Sequence, residues 1–172
     1  HDVQFDLGGG SFSGIYLTEL TEDGLDIIDK RDIMRIAGSA YEGTYIHKHK
    51  GYYYLFASVG SCCAGEKSTY QTVVGRSKSL YGPYVDKQGR KMLDNHHEVL
   101  LSGNDKVKGS GHDSQIITDD KGQDWMYYHG YDMSSIKAGR KMFLEQVRWV
   151  DGWPVLGEDG HPSVTAPAPF VK

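Results

Sequence analysis

The sequence predicts an all-β fold, and three features carry that expectation. Its 172 residues include 12 tyrosines, whose rings suit a pleated, half-buried surface. Its 22 glycines follow no collagen period and form no Gly/Ser tract, so they read as turn positions between short strands. The strand-like pattern also returns after about 70 residues, with about four runs in each unit.

The elements follow in chain order. Gly8-Gly9-Gly10 is a permissive loop that lacks the strand–turn–helix setting of a dinucleotide site. Residues 14–20 alternate in part and predict a strand. Residues 21–24 (Thr-Glu-Asp-Gly) then turn the chain into a hairpin partner at 25–28. Residues 29–41 mix charged and apolar positions and read as a loop crossing to the next sheet. Strands are expected at 44–47 and 52–58, around a polar turn at 48–51. Residues 71–77 form a third, and Tyr81-Gly82-Pro83-Tyr84 leads to a short fourth.

The second unit repeats this order, with strands at 113–118, 125–130 and 140–147 and a fourth opening at Trp153-Pro154. Glu42 then corresponds to His112, Arg76 to Arg148, and Gly82-Pro83 to Trp153-Pro154. Four-stranded blades with long loops, arranged radially, suit such a period. Chance similarity inside one β-sandwich is the alternative. Two units and a partial leading one cannot close a ring, so further blades are expected from an upstream segment or a second chain. The start, His1-Asp2-Val3-Gln4, lacks Met and resembles no signal peptide, which fits a processed or partial chain.

Composition narrows the function. The 38% hydrophobic content is enough for a core. A formal net charge of -4 gives no basic footprint for nucleic acid. No run of 18 apolar residues offers a membrane span. Cys62 and Cys63 are adjacent, a spacing that rarely makes a disulfide or a zinc site, so they read as small buried thiols in a tight loop.

Glu42 stands at a strand entry among Tyr41, Gly43, Thr44 and Tyr45, where partial burial would raise a carboxyl pKa towards that of a general acid. A solvated surface carboxylate is the competing reading. His112, in Gly111-His112-Asp113-Ser114, opens the equivalent strand. In a radial fold these two positions converge, whereas a lone histidine is more often a hydrogen-bonded structural residue. Phe12, Tyr45, Tyr53, Tyr70, Trp125, Tyr128 and His129 near strand ends permit stacking on a sugar, although such rings also fill ordinary cores.

Several of these segments resemble glycoside hydrolase family 43, most closely its endo-1,5-α-L-arabinanases. Tyr41-Glu42-Gly43-Thr44-Tyr45 is similar to the family's general-acid segment. Residues 52–58, with Cys62-Cys63-Ala64-Gly65 and Ser68-Thr69-Tyr70, are similar to its subsite loop. Gly109-Ser110-Gly111-His112-Asp113-Ser114 is similar to the segment whose histidine helps hold a metal ion, usually calcium. Residues 10–20 are similar to the strand pair that follows the family's second aspartate. The resemblance runs from about residue 8 to 157.

The resemblance implies a five-bladed β-propeller, of which this chain supplies roughly the C-terminal half: part of the third blade, then the fourth and fifth. It implies an inverting hydrolase of α-1,5-linked arabinan with Glu42 as the acid. Ser58, Cys62, Cys63, Tyr70, Arg76 and Phe12 are the implied substrate contacts, and His112 the implied ligand of a largely water-coordinated calcium ion. Neither catalytic aspartate has a match, since Asp2 and Asp6 fit neither motif. The general base is therefore expected from an N-terminal half of the same enzyme, and secretion follows from a plant-polysaccharide substrate. Two other readings stay open: a non-catalytic carbohydrate-binding or scaffold protein, and a relative acting on arabinoxylan or xylosides.

Overall fold

The computed structural model describes residues 5–6 and 11–172, with side chains from Ser13 onward. The glycine run at 8–10 and the side chains of Asp2, Asp6 and Phe12 lie outside the described residues. Phe5–Asp6 (β1) pairs with Ser11–Phe12 (β2). Ile15–Leu17 (β3) pairs antiparallel with Met34–Ala37 (β4). This corrects the expected loop at 29–41. The hairpin expected with residues 25–28 reduces to a single Leu20–Ile27 bridge and its flanking hydrogen bonds. Leu25 and Ile28 are exposed and have no apolar face to pack on, whereas Ile36 and Ala37 are buried.

The two repeated units are present. In the first, Glu42–His49 (β5), Tyr52–Val59 (β6), Gln71–Ser77 (β7) and Glu98–Ser102 (β8) form an antiparallel sheet in chain order. In the second, Val107–Gly111 (β9) and Ile117–Thr118 (β10) both pair with Asp124–Asp132 (β11). Beyond it come Arg140–Val150 (β12) and Trp153–Val155 (β13). One parallel bridge, Gln71–Ser110, joins the units.

The inner strand of the second unit thus has two pieces, not the continuous strand expected at 113–118. His112 adopts φ +55 between them, and the glycines at 109 and 111 carry too little side chain to register as a strand pattern. The repeat itself holds in the pairing. Val85 bridges Arg76 as Val155 pairs with Arg148, and Glu42 faces Ser58 much as Gly111 faces His129.

Strand alternation explains the layering. On β6, Tyr54 and Phe56 point to one face and Leu55 and Ala57 to the other, and all four are buried. Tyr54 and Phe56 join Val74, Leu101, Met126 and Tyr128 in a core between the two units. Leu55, Ala57 and Val73 join Ile36, Tyr41, Tyr84 and Met92 in a second core beneath β3 and β4. A strand buried on both faces reads as a continuous apolar run, which is why residues 52–57 contain no charged residue.

Candidate active site

Glu42 and His112 meet at one end of the two units. β5 starts at Glu42, opposite Ser58 on β6, and its register slips before Tyr45 pairs with Phe56. The slip is taken up by Gly43 at φ +56. A Cβ on Gly43 would stand 3.1 Å from His112 Nδ1, in a backbone conformation that L residues rarely adopt, so glycine is what lets the imidazole lie beside the acid. From the other unit, the His112 backbone N–H donates to Ser58 Oγ at 2.7 Å.

Tyr70, just before β7, links the pair. Its hydroxyl lies 3.3 Å from His112 Nδ1, with the Glu42 and Ser58 side chains near enough to influence it. The side chain is 1% exposed. Burial, and then the Glu42 carboxylate, push its phenol well above the ordinary range, so the hydroxyl keeps its proton. Its ring passes over Gly111, where a Cβ would stand 2.4 Å from Tyr70 Cδ1, and stacks on His129 with centroids 5.5 Å apart.

His129 also stacks on His112, at 5.8 Å. Burial, then the Arg140 and His112 charges, hold its imidazole below the usual value. Arg140 lies 3.3 Å from its Nε2. His112, His129, Arg140, Lys141 and Met142 line an open pocket of about 580 Å³. Beside it Asp113 is 7% exposed, and neither of its oxygens makes a well-formed hydrogen bond. Burial raises its carboxyl well above the ordinary value, partly offset by a backbone hydrogen bond and the nearby Ser58 hydroxyl.

The candidate residues therefore separate. Glu42 is half-buried and His112 exposed. Ser58 and Tyr70, expected as sugar contacts, are buried in this chain, and both reach His112. Arg76 lies toward the other end of β7, opposite Tyr54, where its Nη1 donates to Gly152 O at 2.7 Å. Its guanidinium sits between Tyr52 and Trp153, which makes it a clamp between the units and not part of the Glu42 cluster.

Cys62 and Cys63 are joined by a disulfide, with Cys63 exposed, in place of the buried thiols expected. Their loop is held by Ser68 Oγ donating to Ser61 O and by Thr69 Oγ1 accepting from Ser61 N. Among the described residues no group of three or more His, Cys, Asp or Glu is placed to hold a metal. Among the described residues, one imidazole is the donor a cation near His112 would meet, so the oxygen shell calcium prefers would come largely from water. Sequence reasoning missed Asp113 and Arg140 as members of this end of the fold. Their only signal was adjacency, to His112 and to the start of the third strand.

The description "Glycosyl hydrolases family 43" matches residues 3–154. The chain is 41% identical over 124 residues to an extracellular exo-α-(1→5)-L-arabinofuranosidase of Cellvibrio japonicus, covering 71% of this chain and 35% of that protein. It is 38% identical over 154 residues to an extracellular endo-α-(1→5)-L-arabinanase of Bacillus subtilis, covering 86% and 45%. The structure of a Cellvibrio cellulosa α-L-arabinanase complexed with arabinohexaose superposes with a TM-score of 0.76 at 35% identity, over 86% of this chain and 51% of that one. The chain thus spans about a third to a half of the length of these relatives, its all-β architecture is shared with arabinanase propellers, and it belongs to glycoside hydrolase family 43.

Proposed function

We propose that this chain carries the general-acid side of a hydrolase that cleaves α-1,5-linked arabinan. The observation that carries the reading is Glu42, half-buried at the start of β5, with the His112 imidazole packed over Gly43 next to it and an open pocket beyond. The names of the relatives support arabinan as the substrate class.

In an inverting reaction Glu42 gives its proton to the glycosidic oxygen as the bond to the anomeric carbon breaks. A carboxylate on the opposite face removes a proton from water as the water oxygen bonds to that carbon. The two carboxyl groups stand roughly 6.5–9.5 Å apart to admit the water. The base and the second aspartate come from outside this chain, in an N-terminal half supplied as an upstream segment or a separate chain.

The same reading assigns β3 and β4 to the third of five blades, β5–β8 to the fourth and β9–β13 to the fifth. It places Cys62–Cys63 on the sugar, and a largely water-coordinated calcium ion at His112. Secretion is supported by the two relatives named extracellular. The test is hydrolysis of linear α-1,5-arabinan by the full-length protein, with the anomeric configuration of the first product followed by NMR. Release of the inverted anomer, lost in Glu42→Gln, is expected. No release by the unsubstituted protein overturns the assignment.

A further inference from the structure

We propose that Arg140 is a substrate-binding residue that selects an unbranched arabinofuranosyl unit by gripping its neighbouring O2 and O3 hydroxyls. This rests on arabinan being the substrate. Arg140 opens β12 and lies opposite Tyr131 on β11, as Met142 lies opposite His129. Side chains alternate along a strand, so Arg140, Met142 and His129 share the face that lines the pocket of about 580 Å³ beside His112. That volume is in the range that small-ligand pockets occupy.

Arg140 is exposed, and its Nη1 lies 3.3 Å from His129 Nε2. Among the described residues no carboxylate pairs with it. The next cation along the strand differs: Lys141 Nζ donates to Asp132 Oδ2 at 2.8 Å and to Ser135 Oγ. Those bonds pin the turn at 133–138, whose Ile136 stands 3.9 Å from where a Cβ on Gly65, in the disulfide loop, would be. The root of Arg140 is thus fixed while most of its five N–H donors are unspent. Arg76 and Arg148, by contrast, donate to the backbone at Gly152 and Gly157. The His129 ring is already stacked on Tyr70 and on His112. A sugar in this pocket therefore meets a free donor and the exposed Met142 side chain, not an open aromatic face.

The chemistry of the chain says what such a donor can read. In an α-1,5-linked arabinan each inner unit uses C1 and C5 for its linkages, which leaves the hydroxyls on C2 and C3 side by side. A guanidinium only donates, through a planar fork whose paired N–H groups match two neighbouring oxygens. A branch on O3 puts bulk between fork and ring and leaves the donors unpaired, and unpaired polar groups are what reject a wrong substrate most strongly. From the acid outward the order is Gly43, His112, His129, Arg140. Arg140 thus stands two imidazoles beyond Glu42, where it holds a unit beside the cleaved bond and takes no part in proton transfer.

Calorimetric titration tests this on the full-length protein carrying Glu42→Gln, so that the sugar is not consumed. The two probes are linear α-1,5-arabinohexaose and the same chain methylated on every O3. With Arg140 intact the linear chain should bind roughly 10- to 100-fold more tightly, the usual worth of hydrogen bonds to a charged group. Arg140→Met should lose that preference by weakening the linear chain. Arg140→Lys, which retains the charge without the fork, should recover only part of it. Equal binding of the two probes with Arg140 intact overturns the proposal, and so does a preference that survives in Arg140→Met. Hydrolysis of linear arabinan by the protein without substitutions separates the two readings. If it proceeds while the probes bind equally, only the role of Arg140 fails; if neither probe binds and no arabinan is cleaved, both fail.

Discussion

His49 lies flat on Trp149. The ring centroids are 3.8 Å apart and the planes differ by 5°, which joins the end of β5 in the first unit to β12 in the second. His47 stacks at 5.9 Å on the same indole, whose Nε1 donates to Asp124 at 2.8 Å. Away from the acid, then, the two units are sealed by an aromatic stack that contains two titratable rings.

That stack should make the contact between the units sensitive to acid. Burial holds both imidazoles below their ordinary pKa of about 6.5, against partial support from Asp124. Lys50 adds to the lowering at His49, and Tyr45 bonds His47. With folded values below the unfolded one, the unfolded chain takes up protons first as pH falls through 6.5. Stability present above that pH is therefore lost below it. Denaturant unfolding at pH 7.5 and 5.5 should show the loss, and His49→Phe, which retains the stacking, should reduce it.

Glu42→Gln should retain the shape of the acid and remove its proton. In the full-length protein, turnover of unactivated arabinan should fall roughly 10²–10⁴-fold, the range of positioned proton transfer. An arabinoside whose leaving group needs no protonation should be affected far less. Steady-state rates on both substrates check it, and equal large losses would remove Glu42 from the role.

Arg76→Ala should destabilise the fold without touching chemistry. It removes a hydrogen bond to Gly152 O and contacts with two aromatic faces at 4.5 and 4.4 Å. A cost of about 1–3 kcal/mol is expected. Urea unfolding measures the loss, and an unchanged kcat in the folded fraction separates this clamp from a substrate contact.

Reducing Cys62–Cys63 should barely move the melting temperature. A bridge between neighbours closes a loop with no residues inside it, so it takes almost no freedom from the unfolded chain, and a change within about 0.5 kcal/mol is expected. If the disulfide forms part of the sugar-binding surface, reduction should instead weaken arabino-oligosaccharide binding. Calorimetric titration before and after reduction reads that directly.

The sequence by itself determined the class of fold and the repeat, and it singled out Glu42 and His112, which the fold brings together. Period-2 patterning and turn glycines are local, so β5, β6, β7 and β11 were legible from neighbouring residues alone. A spacing of about 70 also survived as a regularity in the pairing, at Val85 with Arg76 and Val155 with Arg148. Glu42 and His112 stood out because they fall within one residue of the same point in their units, Glu42 facing Ser58 and Gly111 facing His129.

Only the tertiary structure decided what surrounds them. Tyr70 touches His112 across 42 positions, Ser58 reaches the His112 N–H across 54, and Arg76 reaches Gly152 across 76. No local pattern records such distances, so a buried support and a sugar contact look alike as letters. β4 and β9 were missed for a related reason. One is short and charged, the other glycine-rich, and each is a strand because a neighbouring strand offers its hydrogen bonds, not because its own side chains demand it.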